Sequence, residues 1–318
     1  YFDNQNNNIP ETKITKTYNL NENIYNVHKD FSFTFDSATI NQIYSKKIIE
    51  KSKKENIANL KPRPKKTIST NYTFIEFVSL NKSKKSPYFI SSEWKNNFSD
   101  KKIQFIETIL PLIAFENYNI LLERNRLLNI KNFLSSNKTL SNNDLTYLNN
   151  ISKKYGVSSI NKHKIDLINE VILRVNIIPN SIVLAQAVNE SGWGTSRFAK
   201  EYNALFGQYT YDKDNGVVPF QREEGKKHLI KNFKSIDKSV ESYFKNINSH
   251  YAYEKFRTLR SKIDQINDDI NNDYNIKILT QALDVYAEDE SYVDTINSII
   301  DSNNLNQFNL NSEGFISL

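Results

Sequence analysis

The stretch AQAVNESGWGTSRFA, residues 185–199, sets a single acidic residue, Glu190, between an apolar run and two glycines that flank Trp193, one of the chain's two tryptophans. Pro179 resets the chain just upstream, and Asn180 or Ser181 is the expected N-cap of a helix, IVLAQAVNES, that is apolar almost all round and so predicted to be buried. Gly192 is placed to stop that helix in a left-handed conformation. Glu190 would then face the negative end of the helix dipole, and burial beside Trp193 would further disfavour its charge, so both effects push its pKa up. That is the condition of a general acid still protonated near neutral pH. A glutamate at a helix end also commonly pairs with a nearby Lys or Arg, and this plainer reading stands beside the first. The small residues Gly192 and Gly194 and the aromatics of NALFGQYTY (203–211) suit a groove for stacking sugar rings.

Downstream the texture changes to short strand-like pieces, ALFGQYTY (204–211), GVVPFQR (216–222) and KKHLIKNF (226–233), separated by the turn chemistry of DKDNG and EEG. A small antiparallel hairpin sheet is predicted. Its REEG turn offers Glu223 and Glu224 as a second carboxylate to activate water or stabilise a glycosyl cation. Glu224 is preferred, because the adjacent Gly225 gives its backbone freedom to swing over a cleft. From 237 to 300 the period is helical again, and the tyrosines in SHYAYEKF and VYAEDESYV read equally as half-buried helix residues or as substrate-facing ones.

Upstream, Ile103, Ile106, Ile109, Leu110 and Ile113, then Ile120, Leu121, Leu127 and Leu128, form a helical apolar stripe that Pro111 should kink or break. A further helix is expected over 163–176. Residues 1–85 are polar, with strand-like alternation at 31–35 and 71–80, a helical spacing at 38–51, and a linker or exposed arm at KPRPKK (61–66). The expected division is an N-terminal extension at 1–85, a helical segment at 86–156, a catalytic domain at 157–301 and a polar C-terminal tail at 302–318.

The chain's 318 residues, 38% hydrophobic and 12% aromatic, suffice for one sizeable core or two small ones. A net charge of +6 favours anionic partners: nucleic acid, a membrane surface or an acidic wall polymer. Cys is absent, which excludes disulfides and thiolate chemistry. The four histidines are scattered without ligand spacing, so no metal and no cofactor is expected. There is no GxSxG, P-loop or GxGxxG. The longest strongly apolar run, ILPLIAF (109–115), is well short of the ~20 residues that span a bilayer, so no transmembrane segment is expected. A chain that opens at Tyr1 and contains no Met reads as the remainder of a longer product, with a cleaved secretory signal the expected missing piece.

Four stretches in this order, IPNSIVLAQAVNESGWGTSRFAKEYNALFGQYTY (178–211), NGVVPFQREEGKKHLIKNF (215–233), SVESYFKNINSHYAYEKFRTLR (239–260) and LDVYAEDESYVDTINSII (283–300), closely resemble the bacterial Bax-like proteins of the glucosaminidase family, glycoside hydrolase family seventy-three. The resemblance runs from about residue 86 to 301 and takes in the helical stretch before the catalytic region. It implies a mainly α (α+β) architecture: a lysozyme-like helical domain with a small antiparallel β-hairpin lobe. It also implies hydrolysis of β-1,4 links after N-acetylglucosamine in the glycan strands of peptidoglycan, in a bacterial envelope, periplasmic or exported. Glu190 matches the family's catalytic acid, Glu224 the hairpin carboxylate and Tyr253 the tyrosine lining the catalytic centre. Trp193, Phe206, Gly207, Gln208, Tyr286 and Tyr292 match positions around the sugar groove, some of them structural. The chain departs from the family at Tyr202 and Ala204, where GNNLFG is common, and at AEDESY (287–292), where ATDPNY is usual.

The rival readings are a muramidase or lytic transglycosylase on the same fold and a wall-binding protein without turnover. Nucleic-acid binding, motivated by the charge and KPRPKK, is disfavoured because basic patches also suit an anionic wall.

Overall fold

The computed structural model describes residues 92–136, 138–219, 227–266 and 268–309. The expected elements at 31–35, 38–51 and 71–80, the KPRPKK arm and both hairpin carboxylates, Glu223 and Glu224, lie outside these residues. The described chain is mainly helical with one small antiparallel sheet.

Helices α1 (Ser92–Asn96) and α2 (Asp100–Ser135) precede α3 (Asn142–Lys154) and α4 (Lys164–Arg174). The apolar stripe of α2 is buried as its spacing predicts, through Phe105, Ile106, Ile109, Leu110, Ile113, Ile120 and Leu127. Pro111, expected to kink or break the stripe, does not break it: it sits inside one helix of 36 residues. The carbonyl that a proline leaves without its i+4 donor belongs here to Glu107, an exposed position where water can replace the bond, while buried residues on either side hold the helix together. By length and composition α2 is long enough and apolar enough to cross a membrane, which no unbroken apolar run suggested. Half of its most apolar window is buried within the fold, so the core accounts for much of that stripe.

Helix α5 (Asn180–Ser191) is the predicted buried helix: Ile182, Val183, Leu184, Ala185 and Ala187 have no exposed surface. It packs against α2 and, later in the chain, against α10 (Tyr292–Ser302) and the 3-10 turn Leu305–Phe308. Its N-terminus is not capped by its own Asn180 or Ser181. Pro179 holds the N-cap position, the Ser181 N–H donates to Asn309 Oδ1 at 2.8 Å, and Asn180 Nδ2 donates to the Phe308 carbonyl at 2.8 Å. The expected polar tail therefore starts too early at 302, because Leu305 and Phe308 are core residues and Asn309 closes the helix.

The segment that feeds α5 is held from the side by buried arginines. Arg260, on α8 (Glu254–Gln265), is fully buried and donates to the carbonyls of Leu173, Arg174, Asn176 and Ile177 and to Asn248 Oδ1. Arg124 on α2 donates to the Ile172 and Val175 carbonyls and pairs with Asp264 at 2.6 Å. The end of α4 and the turn into α5 thus get side-chain donors for carbonyls that a helix C-terminus leaves unpaired. Burial pushes Arg260 down to about 9, so it stays charged at neutral pH.

Beyond α6 (Arg197–Tyr202), the sheet has the order β1-β3-β2, with β1 Tyr209–Thr210, β2 Gly216–Val217 and β3 Leu229–Lys231, all antiparallel. Tyr209 faces Ile230 and Gly216 faces Lys231 across the ladder. The strands are shorter than the strand-like pieces. Gly216 lies so close to Leu229 that an added Cβ would meet its side chain at 2.6 Å, and Pro219 lacks the N–H to extend β2. Helices α7 (Ile236–Ser249), α8 and α9 (Asp273–Thr280), with the 3-10 turns Tyr251–Tyr253 and Gln281–Tyr286, make up the rest of the described helical structure.

Glu116 on α2 is a half-buried carboxyl raised to about 7, chiefly by burial, with Glu241 and Glu123 adding and Lys154 and Lys238 opposing. Its folded pKa lies above the unfolded one, so its contribution to stability is present below about 4.5 and is lost as pH rises through about 7. Glu116→Gln is therefore expected to melt higher than wild type at pH 8, by on the order of 1–3 kcal/mol. The two melting curves should converge below about pH 4.5.

Candidate active site

Glu190 sits in the last turn of α5, half-buried, and Gly192 ends the helix in the left-handed region at φ 57°. Trp193 and Gly194 follow at φ 60° and 72°, so three consecutive left-handed residues turn the chain away from the carboxyl. Ser191 staples this turn: its hydroxyl donates to the Ala187 carbonyl and accepts from the Gly194 N–H. Trp193 packs on α2. Its ring meets Phe105 of α2 edge-on at 5.6 Å, under the Lys102 ammonium at 4.7 Å, and Gly194 packs against the same Phe105. A non-glycine residue at positive φ is strained, and the α2 contacts hold it there.

The carboxyl is surrounded from other directions. Asn189 Nδ2 donates to Glu190 Oε1 at 3.2 Å, and the Tyr292 hydroxyl hydrogen-bonds the same carboxyl. Gly207, at φ 57°, passes so close that a Cβ there would lie 3.0 Å from Oε2. Burial raises the Glu190 pKa as its largest cause, and the Asn189 and Tyr292 hydrogen bonds pull it partly back. Among the described residues no Lys or Arg forms an ion pair with Glu190.

Around it lies a nest of tyrosines. Tyr292 stacks on Tyr286 at 5.6 Å and 9°, and Tyr286 lies 6.1 Å from Tyr253 and 6.4 Å from Tyr243. Each is pushed up by burial and further by the Glu190 charge, Tyr253 to about 12. The structure thus brings Glu190, Gly207, Tyr253, Tyr286 and Tyr292 together, and Trp193 packs on Phe105 of α2. Phe206, expected along the groove, lies beneath it instead. Its ring is 1% exposed and stacks on Tyr243, while its carbonyl accepts from the Tyr286 hydroxyl at 2.8 Å. Tyr292 is likewise buried, at 3% exposed. Gln208 donates from Nε2 to the Ser242 carbonyl, and its Oε1 is buried with no donor among the described residues.

Gln186 and its partner Tyr243 escaped the sequence reading. Gln186 is fully buried; its Nε2 donates to the Tyr292 hydroxyl at 2.8 Å and its Oε1 accepts from the Tyr243 hydroxyl. The available signal for Gln186 was one amide inside the apolar run IVLAQAV, four residues before Glu190 and hence on the same face.

This geometry coincides with a family match: residues 166–305 fit the glucosaminidase model, described as mannosyl-glycoprotein endo-beta-N-acetylglucosaminidase. Over these residues the chain is similar to the glucosaminidase family. The matched stretch runs from within α4 to Leu305, so it includes the whole of α5 and the tyrosine nest. The chain is also 36% identical over 164 residues to Protein bax of Escherichia coli (strain K12), a match covering 51% of this chain and 56% of that protein. The match thus spans just over half of that relative's length. Among solved structures, the catalytic domain of the autolysin Auto from Listeria monocytogenes is similar at 20% identity and a TM-score of 0.32, over 57% of this chain and 96% of its own. That likeness is too distant to carry chemistry across.

Proposed function

We propose that the chain is a peptidoglycan hydrolase of the bacterial envelope, exported or periplasmic, and specifically an endo-β-N-acetylglucosaminidase on a lysozyme-like fold. The observation that carries this reading is one carboxyl, Glu190, whose pKa burial raises, with hydrogen-bond donors on it and no ion-paired cation among the described residues. Such a group can hold its proton near neutral pH and release it to a leaving oxygen.

In the proposed reaction Glu190 donates its proton to the glycosidic oxygen as the C1–O bond breaks, and positive charge spreads over C1 and the ring oxygen. Water adds to C1 and surrenders a proton to Glu224, or adds after the substrate's own 2-acetamido carbonyl has closed on C1. On the first route Glu224 passes that proton to solvent and Glu190 takes one up from solvent; on the second the attacking water gives its proton to Glu190 directly. The nest of Tyr253, Tyr286 and Tyr292 supports the acid from below, and Gly207 keeps one face of the carboxyl open to substrate. Gly207→Ala is expected to lower hydrolysis by about 10- to 100-fold while costing about 1 kcal/mol of stability, because its Cβ would press on Oε2 from a left-handed backbone.

The test is digestion of purified peptidoglycan followed by borohydride reduction and product analysis. Fragments ending in reduced N-acetylglucosamine support the reading. Reduced N-acetylmuramic acid would make the chain a muramidase, a 1,6-anhydro product a lytic transglycosylase, and binding without release a wall-binding protein.

A further inference from the structure

We infer that Gln186 is a positioning residue: its amide, oriented by Tyr243, forces the single hydroxyl proton of Tyr292 to point at the Glu190 carboxyl. The inference rests on the reading of Glu190 as the acid and adds what sets the acid's state.

The direction of the chain follows from donor counting. Tyr243 is fully buried, so its hydroxyl proton needs an acceptor, and that acceptor is Gln186 Oε1. Turning the amide over would leave that proton facing an NH₂ group in the core, which fixes the side chain with Nε2 toward Tyr292. The Tyr292 oxygen accepts from Nε2, leaving its own proton to go to Glu190. The carboxyl therefore receives a permanent donor from below. Its own acidic proton is confined to lone pairs that the tyrosine does not occupy, on the side where a substrate oxygen can arrive. Without the Gln186 donor, Tyr292 can turn its proton elsewhere and Glu190 loses a hydrogen bond that favours its charged form.

Among the described residues, neighbouring titrations do not blur this effect. The described titratable groups facing Glu190 are Tyr243 on α7, Tyr253 and Tyr286 in the two 3-10 turns, and Tyr292 on α10, all raised by burial and neutral through the working pH range.

The experiment is a direct titration of Glu190 in the full chain by carbon-13 NMR of labelled glutamate, its signal assigned from its absence in Glu190→Gln. Gln186→Leu and Tyr292→Phe should each move the Glu190 midpoint up by about one pH unit, and the double variant should move it no further than either alone. In hydrolysis, Gln186→Leu should lower kcat about tenfold with KM within about twofold, and carry the alkaline limb of the rate profile upward. An unshifted midpoint in Gln186→Leu, or a double-variant shift equal to the sum of the two, overturns the inference. Should Gln186→Leu fail to fold, Tyr243→Phe takes its place: it frees the amide with a smaller loss of volume and must shift the midpoint in the same direction, and no shift overturns the inference. The titration does not depend on turnover. A chain that leaves peptidoglycan uncut sinks the proposed function while the midpoint still reports on the hydrogen-bond chain.

Discussion

Glu190→Gln is expected to lower peptidoglycan hydrolysis by about 10²- to 10⁴-fold, the usual worth of a positioned general acid. The amide matches the carboxylic acid in shape, so Tyr292 and Gly207 can keep their places around it, but it has no proton to give. Its effect on stability should run the other way. Burial raises the folded pKa of Glu190, so the stability it contributes is present below the ordinary glutamate range and is lost as pH rises through the raised value. A neutral Gln escapes that loss. Above neutral pH the variant should melt at or above the wild-type temperature, a gain in stability from the substitution that removes activity. A variant that lost both activity and several degrees of melting temperature would point to a structural glutamate instead.

Arg260→Ala has the largest expected effect on the fold. The side chain has no exposed surface and donates to four backbone carbonyls and to Asn248, so its removal leaves those acceptors buried and unpaired around a cavity. The expected cost is about 3–5 kcal/mol, a large part of the ~5–15 kcal/mol that holds a typical domain together. For a domain of this size that is a fall in melting temperature of roughly 6–20 °C. Arg260→Lys keeps the charge but puts three donors at one point where the guanidinium reaches in two directions, so it should recover only part of the loss. Calorimetry of the three proteins checks the order. The carbonyls belong to the segment that delivers α5, so residual activity should fall with the folded fraction while the product stays the same.

What the sequence disclosed follows from how local each feature is. The burial of α5 and its left-handed stop at Gly192 were legible because the apolar run and the glycine lie within one stretch. The same holds for the direction of the Glu190 pKa, whereas the hydrogen-bonding and packing groups on the carboxyl come from residue 189 beside it and from residues 207 and 292 far along the chain, which no local stretch shows. The cap of α5 was read as Asn180 or Ser181 because only neighbours are visible in a sequence, and the group that caps it, Asn309, arrives from 128 positions away. Arg260 reads as an exposed residue in EKFRTLR, since nothing local reveals the unpaired carbonyls of 173–177 that draw it inward. Pro111 was expected to kink or break its helix, and of the two the break does not occur, because buried residues on both sides keep the helix whole. Gln186 could have been singled out, because an amide inside an apolar helix must find buried partners.

The central claim is that Glu190 is the acid that cleaves the bond after N-acetylglucosamine. Its most direct test is mass spectrometry of borohydride-reduced soluble products from one peptidoglycan preparation, digested in parallel by wild type and Glu190→Gln. The account predicts fragments ending in reduced N-acetylglucosamine from the wild type and their loss from the variant. The same fragments in undiminished yield from Glu190→Gln would contradict it.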